Sequence, residues 1–159
     1  MRSAILALSL FLVVAAQAAV VHLAPDFSFL GAGDKARSLR SLRGQPVVLI
    51  IADSPKSGAL KKQLKNLEEI YQQLASKGVV LVTATASGDG PIPSNIPVAL
   101  ATNGAAVATS YGVNKGFQIA IIGRDGNLDY QTDHVLRPER VRDVIQNSFD
   151  VQESARKQP

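Results

Sequence analysis

Val47 to Leu74 reads VVLIIADSPKSGALKKQLKNLEEIYQQL. Val47 to Ala52 holds no polar residue and is mostly β-branched, the composition of a central strand covered on both faces. After the short polar stretch Asp53 to Gly58, apolar residues fall at Leu60, Leu64, Leu67, Tyr71 and Leu74. That is helical spacing, and it turns Lys61, Lys62, Lys65, Glu68, Glu69 and Gln72 outward. Ser57 is placed to cap the helix N-terminus and Gly78 to stop its C-terminus. A second buried strand, Val79 to Thr85, follows after a tight turn. Two strands joined through a helix must run parallel, which fixes the chain as α/β.

The flanks extend the same pattern. Ala24 to Leu30 alternates around Phe27 and Phe29 as a short strand does. Ser38 to Arg43 suits a helical turn closed by Gly44. Ser87 to Pro97, with its glycines and prolines, is a loop, and Val98 to Ala101 suits a short strand. Ala105 to Tyr111 suits a short helix ended by Gly112, and Phe117 to Ile122 is a third clear strand. Arg124-Asp125-Gly126-Asn127 then signals a hairpin into Leu128 to Gln131. Pro138 opens a last helix with Val141, Val144, Ile145 and Phe149 inward, and Gln152 to Pro159 is expected as a frayed polar tail. The order is β-α-β-α-β-β-α around a mixed sheet.

At the N-terminus, Arg2 precedes an apolar run from Ala4 to Ala16, and Ala16-Gln17-Ala18 places small residues where a signal peptidase reads. Residues 1–18 are expected to be a secretory signal, residues 19–150 the folded domain and residues 151–159 the tail. The alternative for the first segment is an uncleaved anchor, since the run continues weakly through Val20 and Val21. Beyond it there is no run of ~18 apolar residues, so no membrane span is expected after cleavage. The 159 residues suit one domain, and 46% apolar content is enough for a core.

Losing Arg2 from 17 basic side chains, against 13 acidic ones, leaves a surplus of three. The densest basic piece, Lys35, Arg37, Arg40 and Arg43, is spaced to line one helical face and is expected to be solvated. With 5% aromatics and no tryptophan there is little to stack bases on, so nucleic acid is not expected as a partner. The chain has no cysteine at all. That removes disulfides, thiolate metal sites and thiol nucleophiles, in the exported compartment where disulfides persist.

Four pieces, "APDFSF", "SLRSLRGQPVVLIIA", "LKKQLKNLEEIYQQLASKGVVLV" and "YGVNKGFQIAIIGRDGNL", stand in the order and spacing of the thioredoxin-like superfamily. Over Ala24 to Phe149 the chain most closely resembles its secreted redoxin branch, of the alkyl hydroperoxide reductase and thiol-specific antioxidant type. The resemblance implies a three-layer fold, a mixed central sheet with helices on both faces. It also places redox cysteines at the strand-to-helix turn, where this chain has Ser54-Pro55-Lys56-Ser57-Gly58. The turn looks like Cys-Pro-x-Cys with both sulfurs replaced by oxygen; a shifted register would set Lys56 or Ala59 there instead. The family's cis-proline belongs just before the strand at Phe117, where this chain has Lys115-Gly116-Phe117.

A serine hydroxyl stays un-ionised where a thiolate would form, cannot close a disulfide and attacks peroxide poorly. Hydrolytic use of Ser54 or Ser57 would need His22 or His134 as base, and neither serine sits in a nucleophile-elbow motif. Asp125 to Asp129 opens like a calcium loop but lacks its glycine and its closing glutamate, so it is expected as a β-turn. Gly31-Ala32-Gly33 lacks the strand and helix of a dinucleotide site. No catalytic residue, metal or cofactor is expected. What remains is a helix N-terminus with hydroxyls and Lys56, suited to an anion or a polar peptide. The expected function is an exported, periplasmic or secreted, non-catalytic thioredoxin-like binding or scaffold module for a protein, peptide or anion. It would use Ser54, Pro55, Lys56, Ser57 and Gly58 with Lys115, Gly116 and Phe117 facing them. The alternative is a redoxin-class enzyme that acts with a partner's thiols.

Overall fold

A computed structural model describes residues 22–157 apart from 32 and 89. The proposed signal and its cleavage point lie outside the described residues. Seven strands form one mixed sheet: β1 (Ser28–Leu30), β2 (Ala36–Ser38), β3 (Val47–Ala52), β4 (Val80–Thr85), β5 (Ala99–Ala101), β6 (Phe117–Ile122) and β7 (Leu128–Thr132). Their order across the sheet is β2-β1-β5-β4-β3-β6-β7. The helices are α1 (Gly58–Glu69), α2 (Tyr71–Ser76), α3 (Gly104–Ser110) and α4 (Pro138–Lys157), with a 3-10 turn at Leu39–Leu42.

All six residues of β3 are buried, as an apolar central strand requires. It pairs parallel with β4 and antiparallel with β6. Alternation then divides its side chains between two layers. Val48, Ile50 and Ala52 join Leu60, Leu64, Leu67, Ile119 and Val141 under α1, α2 and α4. Val47, Leu49 and Ile51 join Phe27, Phe29, Val82, Val107 and Ala120 under α3 and the 3-10 turn. The expected α/β class, with helices on both faces of a mixed sheet, is the observed one.

Four local expectations are corrected. The helix foreseen from Leu60 to Leu74 is interrupted at Ile70, whose backbone leaves the helical region at φ −115° and ψ 11°. Ile70 thereby reaches the core at 7% exposure, while Tyr71, expected inward, is half-buried. The alternation over Ala24 to Leu30 becomes a strand only at Ser28–Leu30, although Phe27 and Phe29 are both buried. The arginines of the 35–43 segment do not share a helical face, because Ala36–Ser38 is a strand paired with β1. Arg37 lies over the Phe29 ring, Arg40 pairs with Asp26 at 3.3 Å, and Arg43 donates to the Asp125 carbonyl. Finally, residues 152–157, expected to fray, continue α4. Gln152 holds that end down: its Oε1 accepts from Arg124 Nε at 3.1 Å, and the Arg124 guanidinium stacks 3.9 Å above Phe149.

Tyr111 fastens the N-terminal segment to α3. Its hydroxyl donates to the Pro25 carbonyl at 2.9 Å, with the ring edge-on to Phe27. Burial, and secondarily the nearby Asp26 charge, pushes its phenol far above the ordinary value. The folded state therefore holds the proton longer than the unfolded chain does. The resulting stability is fully present below the unfolded value of about 10 and is lost as pH rises beyond it. Thermal unfolding is expected to show a fall in Tm above about pH 10. In Tyr111→Phe the part of that fall due to this group should vanish, at the cost of a lower Tm at neutral pH.

Candidate functional site

The turn after β3 is built by one backbone bond. Ser57 N–H donates to the Ser54 carbonyl at 3.1 Å, which places Pro55 and Lys56 at the corners of a β-turn. Proline suits the first corner because its ring presets φ. Ser57 then caps α1: its Oγ accepts from Leu60 N–H at 3.4 Å, a long bond, while its carbonyl accepts from Lys61 N–H at 3.1 Å. The cap role expected of Ser57 is observed. Lys56 and Gly58 are exposed, and Ser54, Pro55 and Ser57 are half-buried.

The facing segment is adjacent because β6 pairs beside β3, with Ala52 opposite Phe117. One further residue, absent from the sequence-based expectations, ties the two together. Asp53, just past β3, accepts the Gly116 N–H on Oδ1 at 2.7 Å. Its carbonyl accepts both the Ser87 hydroxyl at 2.7 Å and the Ser87 N–H at 2.8 Å. The third wall is the 86–88 loop, where an added Cβ on Gly88 would lie 3.5 Å from the Pro55 ring. Asp53 thus links three segments that converge at the C-terminal ends of β3 and β4 and the start of β6. What could have flagged it is a lone carboxylate ending an otherwise apolar central strand.

Gly116 stands where the resemblance would put a cis-proline. It has φ +89°, in the left-handed region that favours glycine, and an added Cβ would meet nothing within 4 Å. The described residues hold no cis peptide bond. Lys115 is exposed and Phe117 buried, so the surface offered here is Lys115 and the Gly116 backbone, while the Phe117 ring belongs to the core.

Neither histidine hydrogen-bonds to Ser54 or Ser57 among the described residues. His134 instead sits 2.5 Å from Asp133, both exposed. The Asp125–Asn127 segment is the expected turn: Gly126 N–H donates to the Gly123 carbonyl at 2.9 Å, and Asp125 accepts from Asn127 N–H at 3.0 Å. Among the described residues no group of three His, Asp or Glu side chains could hold a metal ion, and no helix is long and apolar enough to cross a membrane. Beside the turn lies a cleft of about 490 Å³, walled by Ala86, Ser87 and Gly88 on one side and Thr102, Asn103 and Gly104 on the other.

Known structures share this architecture. Thioredoxin peroxidase I of Plasmodium yoelii superposes with a TM-score of 0.64 at 14% identity, covering 89% of this chain and 95% of its own. The thioredoxin domain of a thiol-disulfide oxidoreductase from Bacteroides vulgatus gives 0.63 at 15% identity, covering 77% and 95%. The fold is thioredoxin-like. A third thioredoxin-like neighbour, the pneumococcal exposed lipoprotein thioredoxin of Streptococcus pneumoniae, gives 0.58 at 17% identity, covering 77% and 99%. No family model and no curated protein matches the sequence. The likeness is therefore one of architecture. In this thioredoxin-like frame the turn at the head of α1 has two serines and a lysine and no sulfur.

Proposed function

We propose that this chain is an exported, non-catalytic thioredoxin-like module that binds a protein, peptide or small anion at the Ser54–Gly58 turn. Lys115 and the Gly116 backbone complete the binding surface. The observation that carries this reading is the absence of any cysteine from a chain with the architecture of thiol-redox proteins. Without a thiolate there is no group to attack a disulfide or a peroxide oxygen. The surroundings of the turn are nonetheless built: three segments are tied through Asp53, and the turn is closed by its own backbone bond. Export is supported by the apolar segment ending in Ala16-Gln17-Ala18. A neighbour described as an exposed lipoprotein supports it by analogy.

The test has two arms. Purified wild-type chain is expected to consume no peroxide and reduce no insulin disulfide above the buffer rate, with thioredoxin reductase or dithiothreitol as electron source. Clear turnover would overturn the reading in favour of redoxin chemistry with a partner's thiols. Crosslinking in the exported compartment, followed by affinity measurement on the captured partner, is expected to show weaker binding for Lys56→Glu with no change in Tm. An unchanged affinity would remove the turn from the binding surface.

A further inference from the structure

Several cations of this protein are engaged within the fold. Arg40 pairs with Asp26, Arg43 donates to Asp125, and Arg37, Arg124 and Arg140 lie over aromatic rings. Lys77 donates to Gln146 Oε1 at 2.5 Å and lies over Phe149.

The lysines of α1 differ. Lys61, Lys62 and Lys65 are exposed, and none forms an ion pair or side-chain hydrogen bond with another described residue. Glu68, on the same helix, accepts from Asn95 Nδ2 at 3.1 and 3.3 Å on its two oxygens. The first turn of α1 has no acidic residue, and Lys61 and Lys65 stand one turn apart along the helix. An external anion could pair with both side chains.

These side chains also border a groove. Lys61, Leu64, Lys65 and Glu68 form one wall and Pro93, Ser94 and Asn95 the other, enclosing about 350 Å³, so two ammonium groups border the groove against one carboxylate. The loop wall is held in shape by Ser94, whose hydroxyl donates to the Ile96 carbonyl at 2.8 Å and accepts from Ile96 N–H at 3.2 Å. Leu64 is 4% exposed, so the floor is apolar but covered. The large exposed apolar residues, Leu23, Leu30, Leu100 and Val151, are not among the groove's walls, and no aromatic ring lines it. The groove therefore lacks what a bilayer or a base stack would need.

We propose that the groove between α1 and the 93–95 loop is a docking site for an acidic peptide segment of a partner protein, whose carboxylates pair with Lys61 and Lys65. The assignment goes beyond the proposed function: it uses surface that adjoins the Ser54–Gly58 turn and includes none of its residues.

The experiment uses fluorescence anisotropy with the purified chain and a labelled peptide of alternating Glu and Ser. Controls are the same peptide with Gln for Glu, and vesicles of phosphatidylglycerol and phosphatidylcholine. At low ionic strength the acidic peptide should bind and the Gln peptide should not. Binding should weaken at least tenfold in about 0.5 M salt, where exposed charges are screened. Lys61→Gln with Lys65→Gln should weaken it about tenfold, with Tm unchanged because both side chains are exposed. Lys35→Gln, an exposed cation outside the groove, should leave the affinity as it was. Equal binding by the double variant, no binding of the acidic peptide, or stronger binding to the vesicles would each overturn the proposal. Lys56→Glu is measured in parallel, so the turn and the groove are tested independently.

Discussion

Replacing Gly104 with alanine is expected to destabilise the protein by about 3 kcal/mol, although the substitution lies at the start of a helix. Helix propensity alone points the other way, since alanine is favoured over glycine by up to ~1 kcal/mol in a helix interior. The sign reverses because α3 starts where the chain passes against the end of β4. A Cβ built on Gly104 would fall 2.6 Å from Thr85 N and 2.7 Å from Thr85 C, and would overlap the Thr85 carbonyl oxygen. These are backbone atoms of a strand paired on both sides, so no side chain can swing away. Either α3 lifts from β4 or the end of β4 distorts, and α3 packs Val107 and Ala108 into the core. Thermal unfolding should show a Tm lower by roughly 10 °C. Ala105→Gly, one position on and exposed, should lose at most ~1 kcal/mol. A Gly104→Ala variant as stable as wild type would mean that α3 does not approach Thr85 this closely.

The parts that the sequence disclosed are those where one physical signal dominates. Val47 to Ala52 is apolar throughout because both faces of β3 are covered, and the spacing of Leu60, Leu64 and Leu67 marks the buried side of α1. The hidden parts depend on partners distant in the chain. β2 is an edge strand of Ala36, Arg37 and Ser38, held by backbone pairing to β1, and its side chains show no alternation to read. The break at Ile70 follows from burying that side chain against the sheet, which outweighs the weak local preference for an unbroken helix. Residues 152–157 contain no glycine or proline stop before Pro159, and the Arg124–Gln152 bond was not visible from polar composition. Asp53 is the instructive case at the candidate site. Its carboxylate meets a backbone N–H 63 positions away, a contact without a motif. Ser54 to Gly58 was legible as a turn and cap because both roles are local.

Gln63 offers the second large effect. It is 0% exposed, the sole charged or amide side chain in the core among the described residues. Its Oε1 accepts Leu136 N–H at 2.7 Å and its Nε2 donates to the Leu136 carbonyl at 3.2 Å, so α1 clamps the segment that leads from β7 into α4. The two ends of that clamp are not equivalent. The Leu136 carbonyl also accepts from Asn66 Nδ2 at 2.8 Å, whereas its N–H has no second acceptor among the described residues. Gln63→Met, close in volume, should therefore orphan one buried N–H and cost about 2–3 kcal/mol in urea unfolding. Asn66→Ala, with Gln63 still donating, should cost about 1 kcal/mol. Combining them leaves the carbonyl unpaired as well. The double variant should then lose about 1 kcal/mol more than the sum of the single losses. Strict additivity would show that water reaches Leu136 once Gln63 is gone, and that the clamp is not what seats the start of α4. A super-additive loss would locate the joint between the α1 layer and the terminal helix in one backbone group, held from two side chains one turn apart.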